Sequence, residues 1–441
     1  MLKTLREAFA QKDLRRKILM TLGLMMLYCV GCFLPIPGID PSVFSSAVNT
    51  AGSNSFLSLL SSLTGGALSK GAWFAIGVSP YITSSIVVQL LSVALPSLQR
   101  LSKQGSEGRK KIAVITRYVA LVLAIIQSIA IVISINTVSS KTLLWKSAPD
   151  FLVQVLVVIS LVAGTMLTVW LGDKITEIGV ANGMSMLVFV GILTSGVTAF
   201  TNSIVKIFTE GIDAIVTPIV FILLLVFIFA FIVMFDLAER RIPVTYAKQV
   251  KGNKMYGGQS TNIPIKLNAT GVMPIIFATA LVNFPQLVMQ MLLSFNNKGV
   301  INAYDWYQTY MGTGTWINIV VTSLLILGFS YFYATLMFNP EEVALQIQRN
   351  GGFILGYRPG KPTTDYLKKV SRRITFFGAV FLMLVAMIPS LLFTNISAIE
   401  GDSLTTAFTS IGMLVIVSVA LEFDKSIQNQ MLMKQYKGFL K

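Results

Sequence analysis

Apolar residues in this chain come in long, unbroken stretches rather than in the short amphipathic repeats of a soluble protein. A helix of about 20 apolar residues crosses the roughly 30 Å core of a bilayer, and ten stretches approach that length. They lie at residues 18–34, 71–95, 112–135, 151–171, 180–200, 214–235, 268–293, 315–338, 374–393 and 404–421. Stretches this long and uniform are typical of helices rather than of barrel strands. We therefore predict an all-α polytopic membrane protein with ten transmembrane helices.

The basic residues are distributed unequally between the two sides that these spans define. Of the 35 Lys and Arg residues, thirty fall on the side that holds both termini, and five fall on the other side. The positive-inside rule then predicts that both termini are cytoplasmic. The same side carries two large basic loops, at residues 237–267 and 339–373. Their size favours a docking surface for a cytoplasmic partner, and their charge also suits anionic lipids.

A short pattern recurs in the second span and in the seventh. Residues 77–82 (GVSPYI) and 271–276 (GVMPII) both read G-V-x-P-x-I. With five spans in each half, the second half enters the membrane from the opposite side, so we predict two inverted-repeat halves, 1–200 and 201–441. Spans interrupted by Gly and Pro at matching positions indicate a substrate path. Two ordinary kinked helices remain the alternative.

Ionisable side chains avoid the middle of every predicted span. Proton pumps and ion-coupled transporters generally keep such residues for the coupling ion, so their absence argues against both classes. The second span instead carries hydroxyls and an amide, including Ser79, Thr83 and Gln89. These groups could bond neighbouring helices or face a polar passenger, and the sequence leaves both interpretations open.

Composition narrows the function classes further. The chain is 54% hydrophobic and 12% charged, has a net charge of +16, and contains no histidine. Without histidine there is no Ser-His pair or H-E-x-x-H site, and residues 356–361 lack the spacing of a phosphate loop. Cys29 and Cys32 lie in an apolar run without a second ligand pair, which favours inert packing over a metal site. We predict no catalytic residue, no cofactor and no metal. We also predict no direct reading of nucleic acid, because no aromatic residues interleave the basic stretches.

One segment is apolar but too short to cross the membrane. Residues 54–69 are rich in Ser and Gly and lie between the first and second spans. Such segments are usually re-entrant or interfacial. We expect this segment to lie beside the Gly/Pro-interrupted second span, on the side opposite the termini.

Longer motifs extend from one end of the chain to the other. They include GVSPYITSSIVVQLL at 77–91, ERRIPVTYAK at 239–248, QSTNIPIKLNATGVMPIIFA at 259–278, NPEEVA at 339–344 and RPGK at 358–361. These motifs resemble the SecY family, the channel subunits of the bacterial Sec translocase. The resemblance implies a protein-conducting channel of the bacterial plasma membrane. Such a channel passes unfolded secretory chains across the membrane and releases hydrophobic segments sideways into lipid.

The resemblance also assigns roles to particular positions. It implies an hourglass pore between two halves, with residues 54–69 as the plug. The apolar pore ring would consist of Val78, Ile82, Met184, Val188, Ile276 and Val415. The lateral gate would carry Thr83, Gln127 and Asn268. Arg240, Arg241 and Arg358 would dock the SecA ATPase or a ribosome, and SecE and SecG would be the membrane partners.

Two other functions compete with the channel. A secondary transporter for small solutes would also have inverted repeats and broken helices, but the large basic loops and the empty membrane interior favour the channel. An insertase without a through-pore would not need a plug, so the plug-like segment at residues 54–69 argues against an insertase. The chain departs from the family pattern at Cys29–Cys32 and at residues 409–412, and these departures leave both a housekeeping copy and an accessory copy with few substrates open.

Overall fold

A computed structural model describes residues 6–7, 9–37, 41, 44–45, 56–138, 150–179, 182–210, 216–246, 249–251, 254–256, 260–268, 271–293, 298–312, 315–395 and 410–439. Within these residues we number fourteen helices and five strands. The helices are α1 (Lys12–Gly31), α2 (Phe56–Leu63), α3 (Ser79–Ala94), α4 (Pro96–Lys103), α5 (Gly105–Val138), α6 (Asp150–Ile178), α7 (Gly183–Glu210), α8 (Val216–Leu237), α9 (Met273–Leu293), α10 (Lys298–Met311), α11 (Trp316–Met337), α12 (Pro340–Arg349), α13 (Lys361–Asn395) and α14 (Ser410–Phe439). The strands are β1 (Glu239–Tyr246), β2 (Gln249–Lys251), β3 (Lys254–Tyr256), β4 (Ser260–Lys266) and β5 (Gly352–Ile354).

Each of the ten predicted spans coincides with one of these helices. The spans fall on α1, α3, α5, α6, α7, α8, α9, α11, α13 and α14. Six helices, namely α5, α6, α7, α8, α11 and α13, are long and apolar enough to cross a membrane by length and composition alone, and shorter apolar helices begin at Ser79 and Met273. The predicted fold class, an all-α polytopic membrane protein, is confirmed. Residues 404–409 of the last predicted span lie outside the described residues.

Two predicted spans begin later than hydropathy suggested. We predicted helices from residues 71 and 268, but α3 begins at Ser79 and α9 at Met273. In both, a glycine two residues before the helix has a positive φ, +59° at Gly77 and +63° at Gly271. Glycine reaches that left-handed region without the steric cost that a Cβ imposes. The repeated sequence pattern therefore corresponds to a repeated backbone turn that delays the start of each helix.

The two loops that we predicted at 237–267 and 339–373 form a small sheet. Its strand order is β4–β1–β5. β1 pairs antiparallel with β4 from its own loop and with β5 from the other, where Val244 lies opposite Ile354. An apolar core that includes Ile242, Val244 and Leu367 lies under it, with contributions from α12 and α13. This sheet was not predicted from the sequence, because strand pairing across about a hundred residues leaves no local hydrophobic signal.

The chain divides into two compact units. One comprises Met1–Ile222, Ala280–Asn318 and Leu391–Lys441, and the other comprises Leu223–Thr279 and Ile319–Ser390. In the first unit, Leu14 and Ile18 of α1 pack with Ile427 near the end of α14. The start of α1 therefore packs against the later part of α14, and the cytoplasmic side of both termini stays a prediction. The division into halves at residue 200 stays a prediction.

Candidate functional site

The segment before α3 is held in a non-helical path by a neighbouring helix. We call residues 71–78 the entry segment. A Cβ added at Gly164 of α6 would lie 2.0 Å from the carbonyl oxygen of Trp73, so α6 contacts the backbone of the entry segment directly. One turn along, Thr168 Oγ1 lies 3.1 Å from the carbonyl oxygen of Gly77 and 2.7 Å from that of Thr165, so its single hydrogen is shared between the two acceptors. A backbone carbonyl without a helical partner is satisfied by a side chain, as the low-dielectric interior requires.

The predicted plug segment packs against α7. Its described part contains helix α2, and we call Gly191, Thr194 and Ser195 the docking face of α7. A Cβ at Gly191 would lie 2.3 Å from the carbonyl oxygen of Leu63, and Ser195 donates from Oγ to the carbonyl of Ser62 at 2.7 Å. A glycine and a hydroxyl thus allow α7 to contact the end of α2 at backbone distance, as small residues do between membrane helices.

The plug segment also contacts the entry segment. A Cβ at Gly77 would lie 2.7 Å from Cγ2 of Thr64. Leu60 of α2 and Leu68 are 1% and 0% exposed and belong to a core with α5 and α6. The end of α2 is therefore buried among longer helices.

A lysine follows the plug segment closely. The Nζ atom of Lys70 lies 3.7 Å from the ring centroid of Phe33, at the end of α1. That nitrogen is buried and has no hydrogen-bond partner among the described residues, and desolvation lowers the pKa of Lys70. Because Phe33 is more than half exposed, a cation over its ring gains about 0.5–1 kcal/mol. This contact ties the connection between α2 and the entry segment to α1.

Two predicted ring residues frame the first turn of α3. Val78 is the residue before the helix and is buried, whereas Ile82 is half-buried one turn later. The amide of Ile82 donates to the carbonyl of Val78 at 3.1 Å, so the two side chains lie on one face at (i, i+4) spacing. The turn at Gly77 determines where this face begins.

Three further ring residues belong to the same unit. Met184 and Val188 are half-buried in the first turns of α7, and Val415 is buried in α14. Helices α7 and α14 contact each other. The sulfur of Met184 packs close to Gly172 of α6, where an added Cβ would lie 2.5 Å away. A ring role for Met184 therefore stays a prediction.

The sixth ring residue occupies the equivalent turn in the other unit. Ile276 is half-buried in the first turn of α9, and its amide donates to the carbonyl of Val272 at 3.2 Å. The backbone geometry thus repeats that of Ile82 and Val78. The pattern places these two isoleucines at corresponding positions of two corresponding helices.

The predicted gate residues have different surroundings. Thr83 donates to the carbonyl of Ser79 in its own helix, at 3.1 Å. Gln127 of α5 is buried, and its Oε1 lacks a hydrogen-bond partner among the described residues. Asn268 is also buried; its Nδ2 donates to Asp236 at 3.0 Å, while its Oδ1 is likewise unpaired. An unpaired buried acceptor costs about 1–3 kcal/mol. Both amides therefore keep an acceptor available.

The predicted docking arginines are exposed in the unit that contains the sheet. Arg240 and Arg241 lie at the start of β1, and Arg241 pairs with Glu239 at 2.8 Å. Arg358 lies in the turn between β5 and α13, where its carbonyl accepts from Thr363 Oγ1 at 2.8 Å. Because β5 runs antiparallel to β1, the chain after β5 returns toward the end of β1 that carries the two arginines. The sheet thus brings two distant loops toward one end.

Sequence reasoning missed the glycines that position the plug and entry segments. Gly164 and Gly191 lie within predicted spans, where glycine is unremarkable. Each glycine has a hydroxyl-bearing residue four positions later, Thr168 after Gly164 and Ser195 after Gly191. This (i, i+4) pattern marks a close helix contact.

Cys29 and Cys32 are free thiols, and Cys29 lies 3.9 Å from Thr194 Oγ1. No group of three His, Cys, Asp or Glu residues in the described chain is arranged to hold a metal ion.

Comparisons with known sequences place this architecture in one family. A model of the SecY family matches residues 72–423. The protein translocase subunit SecY of Corynebacterium glutamicum is 37% identical over 450 residues, which cover 99% of each chain. The subunit of the same name from Mycobacterium tuberculosis is 39% identical over 443 residues, or 97% of each chain.

The fold is also similar to a solved structure. A protein-conducting channel superposes with a TM-score of 0.64 over 93% of this chain and 91% of that chain, at 17% sequence identity. At this identity the likeness shows the fold. The full-length matches to the translocase subunits are what show the family.

Proposed function

The chain belongs to the SecY family, and from that premise we propose that it is the protein-conducting channel of a bacterial Sec translocase. In this role it passes unfolded secretory chains across the plasma membrane. The observation that best supports the proposal is the short apolar helix α2, buried against the docking face of α7 and against the entry segment. A helix too short to span, held by a few contacts, can leave its place without breaking the membrane-spanning helices.

We propose that opening proceeds by release of this plug. The contacts at Ser195 and Gly191 would be lost first, since they hold the end of α2. A ring of Val78, Ile82, Met184, Val188, Ile276 and Val415 would then close around the passing chain. Apolar rings exclude ions by dewetting and make no specific bond to the passenger. That property suits a channel for substrates of many sequences.

Lateral release would take place where Thr83, Gln127 and Asn268 supply polar atoms. The unpaired acceptors of Gln127 and Asn268 support this assignment, because a buried amide oxygen gains a hydrogen bond when a polar group reaches it. An incoming signal segment brings backbone and side-chain donors. Hydrophobic segments would then partition into lipid.

The chain itself is proposed to perform no catalysis, so a partner must supply the energy. We propose the SecA ATPase and the ribosome as alternative cytoplasmic partners at Arg240, Arg241 and Arg358, with both termini on that side. SecE and SecG are proposed as membrane subunits, and anionic lipids as surrounding partners. The exposed guanidinium groups at one end of the sheet support this docking surface.

Reversing the charge of Arg358 tests the docking surface. We expect Arg358→Glu to lower SecA-driven translocation into inverted vesicles about tenfold at low salt, because charges at an interface mainly accelerate association. The loss should shrink as salt rises, since salt screens exposed charges. Arg349→Glu at the end of α12 is the matched control, because Arg349 is exposed in the same unit. An equal loss in both variants would mean that total charge matters and the docking site does not.

A further inference from the structure

An open surface cavity lined by α11 and α13 combines cations with aromatic rings. Its volume is about 340 Å³, within the range of about 300–1,000 Å³ typical of ligand pockets. We call it the basic cavity. It is lined by Tyr331, Lys369, Arg372, Arg373, Phe376 and Phe377. All of these lie in one compact unit, on α11 and α13.

Along one side of α13, the cationic lining residues come first and the aromatic ones follow. Lys369, Arg372, Arg373 and Phe376 are spaced i, i+3, i+4 and i+7, which places them along one helix face. Phe376 lies one turn beyond Arg372, about 6 Å further along the axis at 1.5 Å per residue. The cations thus come just before the apolar part of α13, and the rings lie at its start. This is the order found at the boundary between headgroups and acyl chains.

The charges of the basic cavity are available to a ligand. Lys369, Arg372 and Arg373 are exposed, and no salt bridge or hydrogen bond engages their side chains within the described residues. No acidic side chain lines the cavity. Two guanidinium groups and one ammonium therefore face a common space without a counter-charge. Arginine forks match phosphate oxygens in pairs.

The apolar wall of the basic cavity is equally open. Phe376 is 47% exposed and Phe377 is 64% exposed. An inorganic anion would gain little from these rings, which lie in the apolar part of α13 beyond the cations. A lipid offers a phosphate for the cations and a hydrocarbon chain for the rings. The combination therefore favours a lipid over a soluble anion.

We propose that the basic cavity is a binding site for the phosphate headgroup of one anionic phospholipid. The guanidinium groups of Arg372 and Arg373 hold the phosphate, Lys369 lies at its outer side, and Phe376 and Phe377 contact the first part of the acyl chain. The inference builds on the proposed partnership with anionic lipids and goes beyond it by assigning residues. It does not depend on what the channel conducts.

Native mass spectrometry of the purified full-length chain tests the site. The probe is dioleoyl-phosphatidylglycerol, compared with dioleoyl-phosphatidylcholine and with inorganic phosphate. The test variant is Lys369→Gln/Arg372→Gln. The matched control is Lys361→Gln/Lys368→Gln, which removes two exposed lysines from the same helix outside the cavity. The charge-keeping variant Lys369→Arg/Arg372→Lys retains both positive charges and so shows how much of any loss is due to the removed charge.

We expect one phosphatidylglycerol to bind the unmodified chain more tightly than phosphatidylcholine does. The cavity variant should weaken that binding roughly 25-fold, since each basic residue near a membrane surface contributes roughly fivefold. The control should stay within about threefold of the unmodified chain. The charge-keeping variant should lose less binding than the cavity variant, because it keeps both charges and loses only the paired contact of the Arg372 guanidinium group. Inorganic phosphate should not compete at equal concentration.

Four results would overturn the assignment. Equal weakening in the cavity variant and its control would mean a diffuse charge effect without a site. Strong competition by inorganic phosphate would mean a soluble-anion site. Unchanged lipid binding in the cavity variant, with weaker SecA binding, would identify a protein-docking surface instead. If the unmodified chain itself shows no preference for phosphatidylglycerol, the wider proposal of an anionic-lipid partner fails as well.

Discussion

Replacing Gly191 with valine is expected to make the closed channel leak ions. The new Cβ would lie 2.3 Å from the carbonyl oxygen of Leu63, so α2 could no longer contact the docking face of α7. Overpacking of this kind costs about 2 kcal/mol, which corresponds to roughly a 30-fold rise in the open population. The measurement is single-channel conductance in planar bilayers without a translocating protein.

Two further variants separate loss of the plug contact from general disturbance. Gly23→Val in α1 is the matched control, because a Cβ at Gly23 meets no atom within 4 Å. Ser195→Ala removes only the hydrogen bond to Ser62 and should raise the open population about five- to tenfold. A folded Gly191→Val channel that conducts no more than the Gly23→Val channel would show that α2 is not the seal.

Gly164→Ala is expected to cause the largest loss of stability among these substitutions. A single methyl group would lie 2.0 Å from the carbonyl oxygen of Trp73, and backbone at that distance cannot adjust as a flexible side chain can. Helix α6 would have to separate from the entry segment and would lose the bond from Thr168 to Gly77. We expect about 3 kcal/mol of destabilisation from crowding and the lost bond together. Thermal unfolding in detergent measures it.

The control for that experiment is again an uncrowded glycine. Gly328→Ala in α11 adds a methyl group where no atom lies within 4 Å, so helix propensity alone should leave the protein equally or slightly more stable. A melting temperature for Gly164→Ala that equals that of Gly328→Ala would contradict the close contact between α6 and the entry segment. Thr168→Val should lie between the two.

The membrane-spanning part of the fold was predictable because its signal is local. A run of apolar residues must form a helix when no water can satisfy the backbone. Each predicted run therefore corresponds to a helix of the structure, and the four remaining described helices are ones that were not predicted to span. The unequal distribution of Lys and Arg between the loops added an expectation of ten crossings with both termini on one side, and that orientation stays a prediction.

Where helices begin was harder to predict, because hydropathy does not distinguish a buried turn from a buried helix. Residues 71–78 are as apolar as the helix that follows them. Their path depends on the positive φ of Gly77 and on contacts with Gly164 and Thr168, which lie nearly a hundred residues away. The sheet escaped prediction for the same reason, since β1 and β5 meet only in three dimensions.

The candidate site was predicted largely through family resemblance and only in part through physical reasoning. The G-V-x-P-x-I pattern indicated the two interrupted helices, and the structure shows the same turn at Gly77 and Gly271. The docking face of α7 and the unpaired oxygens of Gln127 and Asn268 depend on tertiary contacts that no local pattern encodes. The pore ring itself stays a prediction.

Crosslinking to a passenger in transit tests the central proposal most directly. A photo-crosslinking amino acid is placed at Ile82 or at Ile276, and a secretory protein is stalled partway through by a folded domain at its end. A third site, Ile317, is the control, because its side chain is exposed and it belongs to α11, which is neither of the two interrupted helices. Partial translocation is verified by protease protection of the stalled chain.

We predict strong adducts with the stalled protein from both Ile82 and Ile276 and none from Ile317. That result would mean that the passenger passes between the two helices that share the G-V-x-P-x-I turn. No adduct from Ile82 or Ile276, with the stalled protein shown to be partly translocated, would contradict the channel. A secondary transporter or an insertase would then account better for the same fold.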